Sequence, residues 1–173
     1  MSEVEYDVII IGAGPAGLYS SFCCGMRQLK VKILEARESL GGKMLLYQER
    51  LIWDVGGAQG KLGSDIAVNI LQESQQFSPE VVLNQKVTAI EKQSDGFRLT
   101  TQHGTVYQAK TVILASSLGI IQPRKLKLDV ADDYCNLHYL VSEIIDFKDY
   151  ADQTVLLYGN PDSLADYVSL LQK

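Results

Sequence analysis

Cysteine is scarce in this 173-residue chain, with three residues in all, an odd count too small to staple a disulfide framework. It fits a reducing cytoplasm in which thiols stay free. No C-x-x-C pair occurs, so the dithiol relay of a thiol oxidoreductase is excluded. Cys23 and Cys24 adjoin on an expected helix, where neighbouring side chains diverge, and packing is their expected role. Histidine is scarcer still, at two residues. His103 precedes Gly104 in an expected hairpin turn, and Cys135-x-x-His138 is half of a zinc site without a second half. No G-x-S-x-G is present, and neither histidine has the neighbours of a Ser-His-Asp arrangement. Basic charge is also short, 16 Lys+Arg against 21 Asp+Glu for a net charge of -5, which lacks the footprint for a phosphate backbone and excludes nucleic acid as the expected partner. The uncharged stretch from Val8 to Met26 is interrupted by Gly12, Gly14, Pro15 and Gly17 and preceded by Glu3, Glu5 and Asp7, so neither a membrane span nor a signal peptide is expected.

What remains is a composition that buries a core, 46% hydrophobic and 21% charged. The length suits one large domain or one and a half small ones, short of a complete two-domain enzyme. Four apolar runs, Val8–Ile11, Val31–Leu34, Thr111–Leu114 and Thr154–Leu157, read as strands buried on both faces. Leu18, Phe22, Met26 and Leu29 recur at helical spacing between the first two, and Pro15 sits where a first helical turn begins, giving a βαβ unit. Ser64-Asp65 is expected to cap a second helix carrying Ile66, Ala67, Ile70 and Leu71, which Ser78-Pro79 closes. From Val81 to Ala109 the period moves towards two, with Asp95-Gly96 and His103-Gly104 as turns of an antiparallel meander.

The expected fold is therefore α/β: a Rossmann-like domain with a parallel sheet plus an antiparallel β-meander over residues 1–121, a connector over 122–152, and the first strand and helix of a second nucleotide-binding domain over 153–173. A lone strand and helix cannot complete a sheet. The tail is expected either to be part of something longer or to dock on another subunit, as in a homodimer.

The strongest chemical signal is Gly12-Ala13-Gly14-Pro15-Ala16-Gly17, directly after a strand and before a helix, with Glu35 ending the next strand. Gly12 permits the tight turn, Gly14 lets backbone approach a pyrophosphate, and Gly17 lets helix and strand pack closely. The phosphates then meet free N–H groups and the positive helix end. Glu35 accepts hydrogen bonds from ribose hydroxyls in such a site, and its charge repels a 2′-phosphate, which favours FAD or NAD over NADP. Gly41-Gly42 offers a side-chain-free backbone beneath an extended ligand, and a meander rather than further βα units follows. Both features favour FAD. Arg37 is expected to be a solvated charge. Gly60-Lys61-Leu62 lacks the first glycine and the Ser/Thr of a P-loop. Tyr47 and Trp53 are each a stacking residue or core, with core favoured for Trp53, and Asp54 either caps a turn or faces the flavin.

These residues, with Gly25-Met26-Arg27-Gln28, Tyr47, Asp54-Val55, Pro123-Arg124-Lys125-Leu126 and Asn136-Leu137-His138-Tyr139, resemble the ferredoxin-NADP reductases built on the thioredoxin-reductase plan. The resemblance implies FAD bound through the positions of Glu35, Lys43, Tyr47, Val87 and Ile121, the tyrosine stacking on the flavin ring and the valine at the adenine end. Lys43 stands where that family usually has glutamine, and Ala115-Ser116-Ser117 where it has a Thr-Gly turn. The second glycine-rich loop matches Gly159-Asn160-Pro161-Asp162-Ser163-Leu164, in which Pro161 lacks an N–H and Leu164 crowds the helix, arguing against NADPH or NADH binding there. The family's C-terminal Gly-Asp segment lies beyond this sequence, so an N-terminal portion is expected.

Two functions follow as expectations. One is an FAD-dependent oxidoreductase that takes electrons from NAD(P)H and hands them from the flavin to an external acceptor such as ferredoxin, flavodoxin or a small molecule, without an acid-base or nucleophilic residue of its own. Arg124, Lys125 and Lys127 are a local basic patch for an acidic acceptor. The other is a non-catalytic FAD- or nucleotide-binding module.

Overall fold

Runs of β-branched residues favour extended chain, and the runs at Val8–Ile11 and Thr111–Leu114 lie in the two central strands of the sheet. The computed structural model describes residues 6–53, 55–57, 60–117, 119, 125–127, 134, 136–139 and 147–172. In chain order its regular elements are β1 (Tyr6–Ile11), α1 (Pro15–Gly25), β2 (Val31–Leu34), β3 (Leu51–Ile52), β4 (Lys61–Leu62), α2 (Gly63–Gln75), β5 (Glu80–Val82), β6 (Val87–Gln93), β7 (Gly96–Thr101), β8 (Val106–Leu114) and α3 (Pro161–Leu171), with 3-10 turns at Gly42–Leu46 and Phe147–Tyr150. A six-stranded sheet runs β5-β2-β1-β8-β7-β6, and β3 and β4 pair by themselves. The chain divides into two units, Met1–Gln122 and Pro123–Lys173.

The sheet joins what the sequence pattern separates. β8 is one strand whose Val106–Ala109 part runs antiparallel to β7 while its Ala109–Leu114 part runs parallel to β1. A strand carries donors and acceptors on both edges, so it serves both neighbours when no Gly or Pro breaks it. The expected gap between meander and parallel strand is thus absent. The first piece of the expected meander also divides. Glu80–Val82 pairs parallel with β2, and the antiparallel part begins at Val87. Leu114 is 69% exposed, so the run Thr111–Leu114 is not covered on both faces as expected.

Two apolar layers hold the sheet. On the helix side, Val8, Ile10, Val31 and Ile33 pack with Leu18, Ile70 and Leu71. On the other, Ile9 and Leu34 pack with Leu99, Ala109 and Tyr107, so the meander curls over the face that lacks helices. Helix α1 differs from expectation in its packing face. Met26 and Leu29 are exposed, and Leu18, Ser21 and Gly25 turn inward. The small residues let α2 approach. Ser21 Oγ and Ser74 Oγ lie 3.0 Å apart and satisfy each other, and Phe77 covers Gly25 so closely that a Cβ there would overlap its ring. Leu62, not Ser64, is the N-cap of α2, and the amides of Gly63 and Ser64 donate to the carbonyls of Arg50 and Gln48.

In the unit Pro123–Lys173, residues 153–158 form no strand, contrary to expectation. A strand is stable only when a neighbour takes its hydrogen bonds, and Leu156 and Tyr158 are 91% and 81% exposed. Helix α3 does form. His138 Nε2 and the Tyr150 hydroxyl share a hydrogen bond of 2.7 Å, which gives that histidine a packing role. Cys135 lies outside the described residues.

At the amino end of the strands the Lys32 ammonium is buried, lies 2.6 Å from Glu80 Oε1, and stands over the rings of Tyr6 and Tyr107. The Lys32 hydrogen bond, followed by that of the Tyr6 hydroxyl, holds the Glu80 carboxyl below the ordinary glutamate value. A depressed carboxylate stabilises the fold above its unfolded pKa, and this contribution is lost as pH falls from 4.5 through the lower folded value. Urea midpoints taken from about pH 7 to about pH 3 will fall more steeply below the unfolded pKa in the wild type than in Glu80→Gln. Equal slopes would remove this pair from the acid response.

Candidate functional site

At the carboxyl end of β1 the chain must turn at once into α1, and each glycine meets a different demand. Gly12 adopts φ +103° and donates to the Leu34 carbonyl at 2.9 Å. A Cβ there would stand 2.6 Å from the Ala115 carbonyl oxygen, because the turn after β8 lies against it. Gly17 is buried in the first turn of α1, and a Cβ there would overlap the Gly12 oxygen and stand 3.0 Å from its carbon. Gly14 is different. Its backbone is extended, at φ -75° and ψ -179°, and the nearest atom to an added Cβ is the Gly42 Cα at 3.9 Å. The space over Gly14 is open.

A second glycine pair forms the facing wall. Gly41 and Gly42 both have positive φ, and the Gly41 N–H donates to the Ala13 carbonyl at 2.9 Å. A Cβ on Gly42 would lie 2.8 Å from the Gly14 Cα, so two strips of bare backbone face one another. Pro15 opens α1 without needing a donor, and the amides of Ala16 and Gly17 belong to its first turn, where the helix has no carbonyl for them. No acidic side chain occupies that turn. The arrangement suits a diphosphate, whose charge meets these amides and the positive helix end.

Glu35 follows β2 and is 7% exposed. Its Oε2 accepts from the Ala13 N–H at 2.6 Å and its Oε1 from the Arg37 N–H at 2.9 Å. Each oxygen keeps a second lone pair for a hydroxyl donor. The Glu35 backbone is tied on both sides, its N–H to the Val82 carbonyl at 2.9 Å and its carbonyl to the Gln85 N–H at 2.8 Å. Val87, two residues beyond Gln85, is half-buried and packs in the layer that contains Leu34. Lys43 is half-buried in the 3-10 turn behind Gly42, and Tyr47 ends that turn with 42% of its surface exposed.

The structure thus gathers Gly12, Gly14, Pro15, Ala16, Gly17, Glu35 and Gly42, with Lys43 and Tyr47 on the next turn and Val87 beside the Glu35 strand end. Asp54 and Ile121 lie outside the described residues. Trp53, expected in the core, is 64% exposed, with Gly60 set against its ring. Cys23 and Cys24 are free and half-buried, and burial pushes the Cys24 thiol up, away from reactivity. Sequence reasoning missed the backbone of Ala13, which anchors Glu35. No pattern marks it, since any residue supplies an N–H.

The second loop is one residue shorter than its motif alignment suggests. The first helical bond of α1 runs from the Leu18 N–H to the Gly14 carbonyl, and that of α3 from the Leu164 N–H to the Asn160 carbonyl. Pro161 therefore opens α3 as Pro15 opens α1, and Leu164 matches Leu18 rather than Gly17. A Cβ on Gly159 would meet Leu164 Cδ2 at 3.8 Å, an ordinary contact. The crowding expected from Leu164 does not arise.

A family model described as pyridine nucleotide-disulphide oxidoreductase matches residues 6–157. The chain belongs to this family. Among its relatives is the ferredoxin-NADP reductase 1 of Bacillus pumilus, 44% identical over 169 residues, an alignment covering 96% of this chain and 48% of that protein. The chain spans about half the length of the curated relatives it matches. Among solved structures, thioredoxin reductase from Streptococcus pyogenes is similar with a TM-score of 0.59 at 29% identity, over 71% of this chain and 38% of that one. A ferredoxin-flavin thioredoxin reductase from Clostridium acetobutylicum is similar with a TM-score of 0.56 at 30% identity, over 70% and 40%. The α/β Rossmann-like fold of the family, with a parallel sheet extended by antiparallel strands, is the fold observed.

Gly17 and Gly14 separate packing from ligand access. In urea unfolding without nucleotide, Gly17→Ala will lose about 1–3 kcal/mol through overpacking, and Gly14→Ala a smaller amount, about 0.5–1 kcal/mol, from the poorer N-cap alone. Equal losses would show that Gly17 is not the packing glycine.

Proposed function

We propose that this protein binds FAD between Gly14 and Gly42, and that with FAD it serves as an NAD(P)H oxidoreductase that passes electrons to an external acceptor. The observation that carries the reading is the open backbone cleft. Gly14 and Gly42 confront each other without side chains at the N-terminus of α1, and the buried Glu35 carboxylate is bonded to the same loop. The amides of the first turn of α1 neutralise the diphosphate. Glu35 takes the ribose hydroxyls and disfavours a 2′-phosphate by charge repulsion. Lys43 makes a polar contact, Tyr47 offers its half-exposed ring to the flavin, and Val87 borders the adenine end, with Ile121 completing the set by resemblance and Asp54 facing the flavin in this reading. FAD supplies the electron chemistry, while these residues bind it, orient it and keep water from its edge. No acid-base residue is assigned.

NADPH or NADH is the reductant in this reading. The acceptor is of ferredoxin type, as the names of the Bacillus pumilus and Clostridium acetobutylicum proteins suggest by analogy, or a flavodoxin or small molecule. Among the described residues no helix is long and apolar enough to cross a membrane, and a cytoplasmic setting suits the free thiols of Cys23 and Cys24. Residues 153–158, which form no strand, favour a second reading, a non-catalytic FAD- or nucleotide-binding module.

FAD titration and anaerobic addition of NADPH or NADH decide between the readings. Binding followed by rapid bleaching of the flavin supports the oxidoreductase, binding without bleaching the module, and a chain that refuses FAD defeats the oxidoreductase reading. Gly14→Val will weaken FAD by at least about 100-fold while the apoprotein stays folded. Unchanged affinity would move the diphosphate elsewhere.

A further inference from the structure

The turn that carries Tyr47 rests on the start of α2 with no space to spare. A Cβ on Gly63 would overlap the Tyr47 carbonyl oxygen and stand 2.8 Å from its carbon. Gly63 is buried and its φ is not positive, so space rather than conformation demands glycine here. The same helix end holds the turn from the other side. The Gly63 N–H donates to the Arg50 carbonyl at 3.0 Å, the Ser64 N–H donates to the Gln48 carbonyl at 3.1 Å, and the Arg50 N–H returns to the Tyr47 carbonyl at 3.1 Å. Helix α2 has little freedom to give way, because Ile66 is 3% exposed and Ser74 is bonded to Ser21. A side chain at position 63 must therefore lift the Tyr47 backbone and swing its ring.

We propose that Gly63 is a positioning residue that sets the Tyr47 ring against the flavin. The proposal rests on the reading that FAD binds with its ring at Tyr47. A tyrosine stacked on a flavin quenches its fluorescence, so bound FAD reports the ring directly. At saturating protein, FAD bound to Tyr47→Leu and to Gly63→Ala will each be at least about threefold brighter than FAD bound to the wild type, and the double variant no brighter than Tyr47→Leu alone, the non-additivity expected of residues acting through one contact. Quenching retained in Gly63→Ala, or brightness that adds in the double variant, overturns the proposal. A loss of melting temperature or FAD affinity with quenching intact makes Gly63 merely structural and overturns it too. If Gly63→Ala does not fold, Ser64→Pro replaces the amide that donates to the Gln48 carbonyl with a ring carbon that pushes that carbonyl away, which displaces the same turn from its other anchor, and it must unquench the flavin. Retained quenching there is equally fatal. A wild type that takes no FAD ends the FAD reading and this proposal together. A wild type that takes FAD, with unmoved quenching in the variants, ends only the proposal.

Discussion

Helix α1 begins where it does because Gly17 has no side chain, and the Gly12 carbonyl lies where a Cβ would be. That single approach seats the helix against the end of β1. With the helix in place, the first-turn amides point out of the sheet end, Gly14 is left with open space, and the Ala13 N–H is aimed at Glu35. Had the helix stood off by the width of a methyl group, the loop would be longer and the cleft with Gly42 would open. Close packing at one residue thus sets the geometry of the site several residues away.

The second constraint is the dual pairing of β8. Because one strand is parallel to β1 and antiparallel to β7, the meander cannot swing free as a separate layer. It curls across the face without helices and places Leu99, fully buried, on the same layer as Ile9 and Leu34. The end of β8 then delivers Ala115 and Ser116 onto Gly12. Core and site are therefore coupled through a strand that the hydrophobic pattern divides in two. The periodicity changes at Ala109 because the burial of the strand's neighbours changes, not because the strand ends.

Legibility varied with the range of the interaction. The βαβ unit, the helix start at Pro15 and the roles of Gly12 and Gly17 were readable because they depend on residues within one turn or one strand. Met26 and Leu29 are apolar, yet the buried face of α1 is Leu18, Ser21 and Gly25, because Ser74 of α2 meets Ser21 and Phe77, beyond the end of that helix, covers Gly25, contacts that only the tertiary structure makes. The cap of α2 was misplaced for a similar reason. Ser64 has the right chemistry, yet the carbonyls of Gln48 and Arg50 reach the helix amides first. The strand expected at Thr154–Leu157 has strand composition but pairs with no neighbour among the described residues, and the helix register of α3 removes the crowding that the motif had placed at Leu164.

By itself, then, the sequence determined the alternation of strands and helices, the glycine-rich turn and the acid that faces it, since backbone sterics and side-chain burial act locally and leave a periodic record. Only the tertiary structure decided which edges of β8 were used, that Ala13 would hold Glu35, and that Gly63 would lie beneath Tyr47. On at least one side each of these contacts is made by backbone atoms that every residue possesses, brought together across distant parts of the chain, so the residue types alone do not say which partners will meet until the fold has formed.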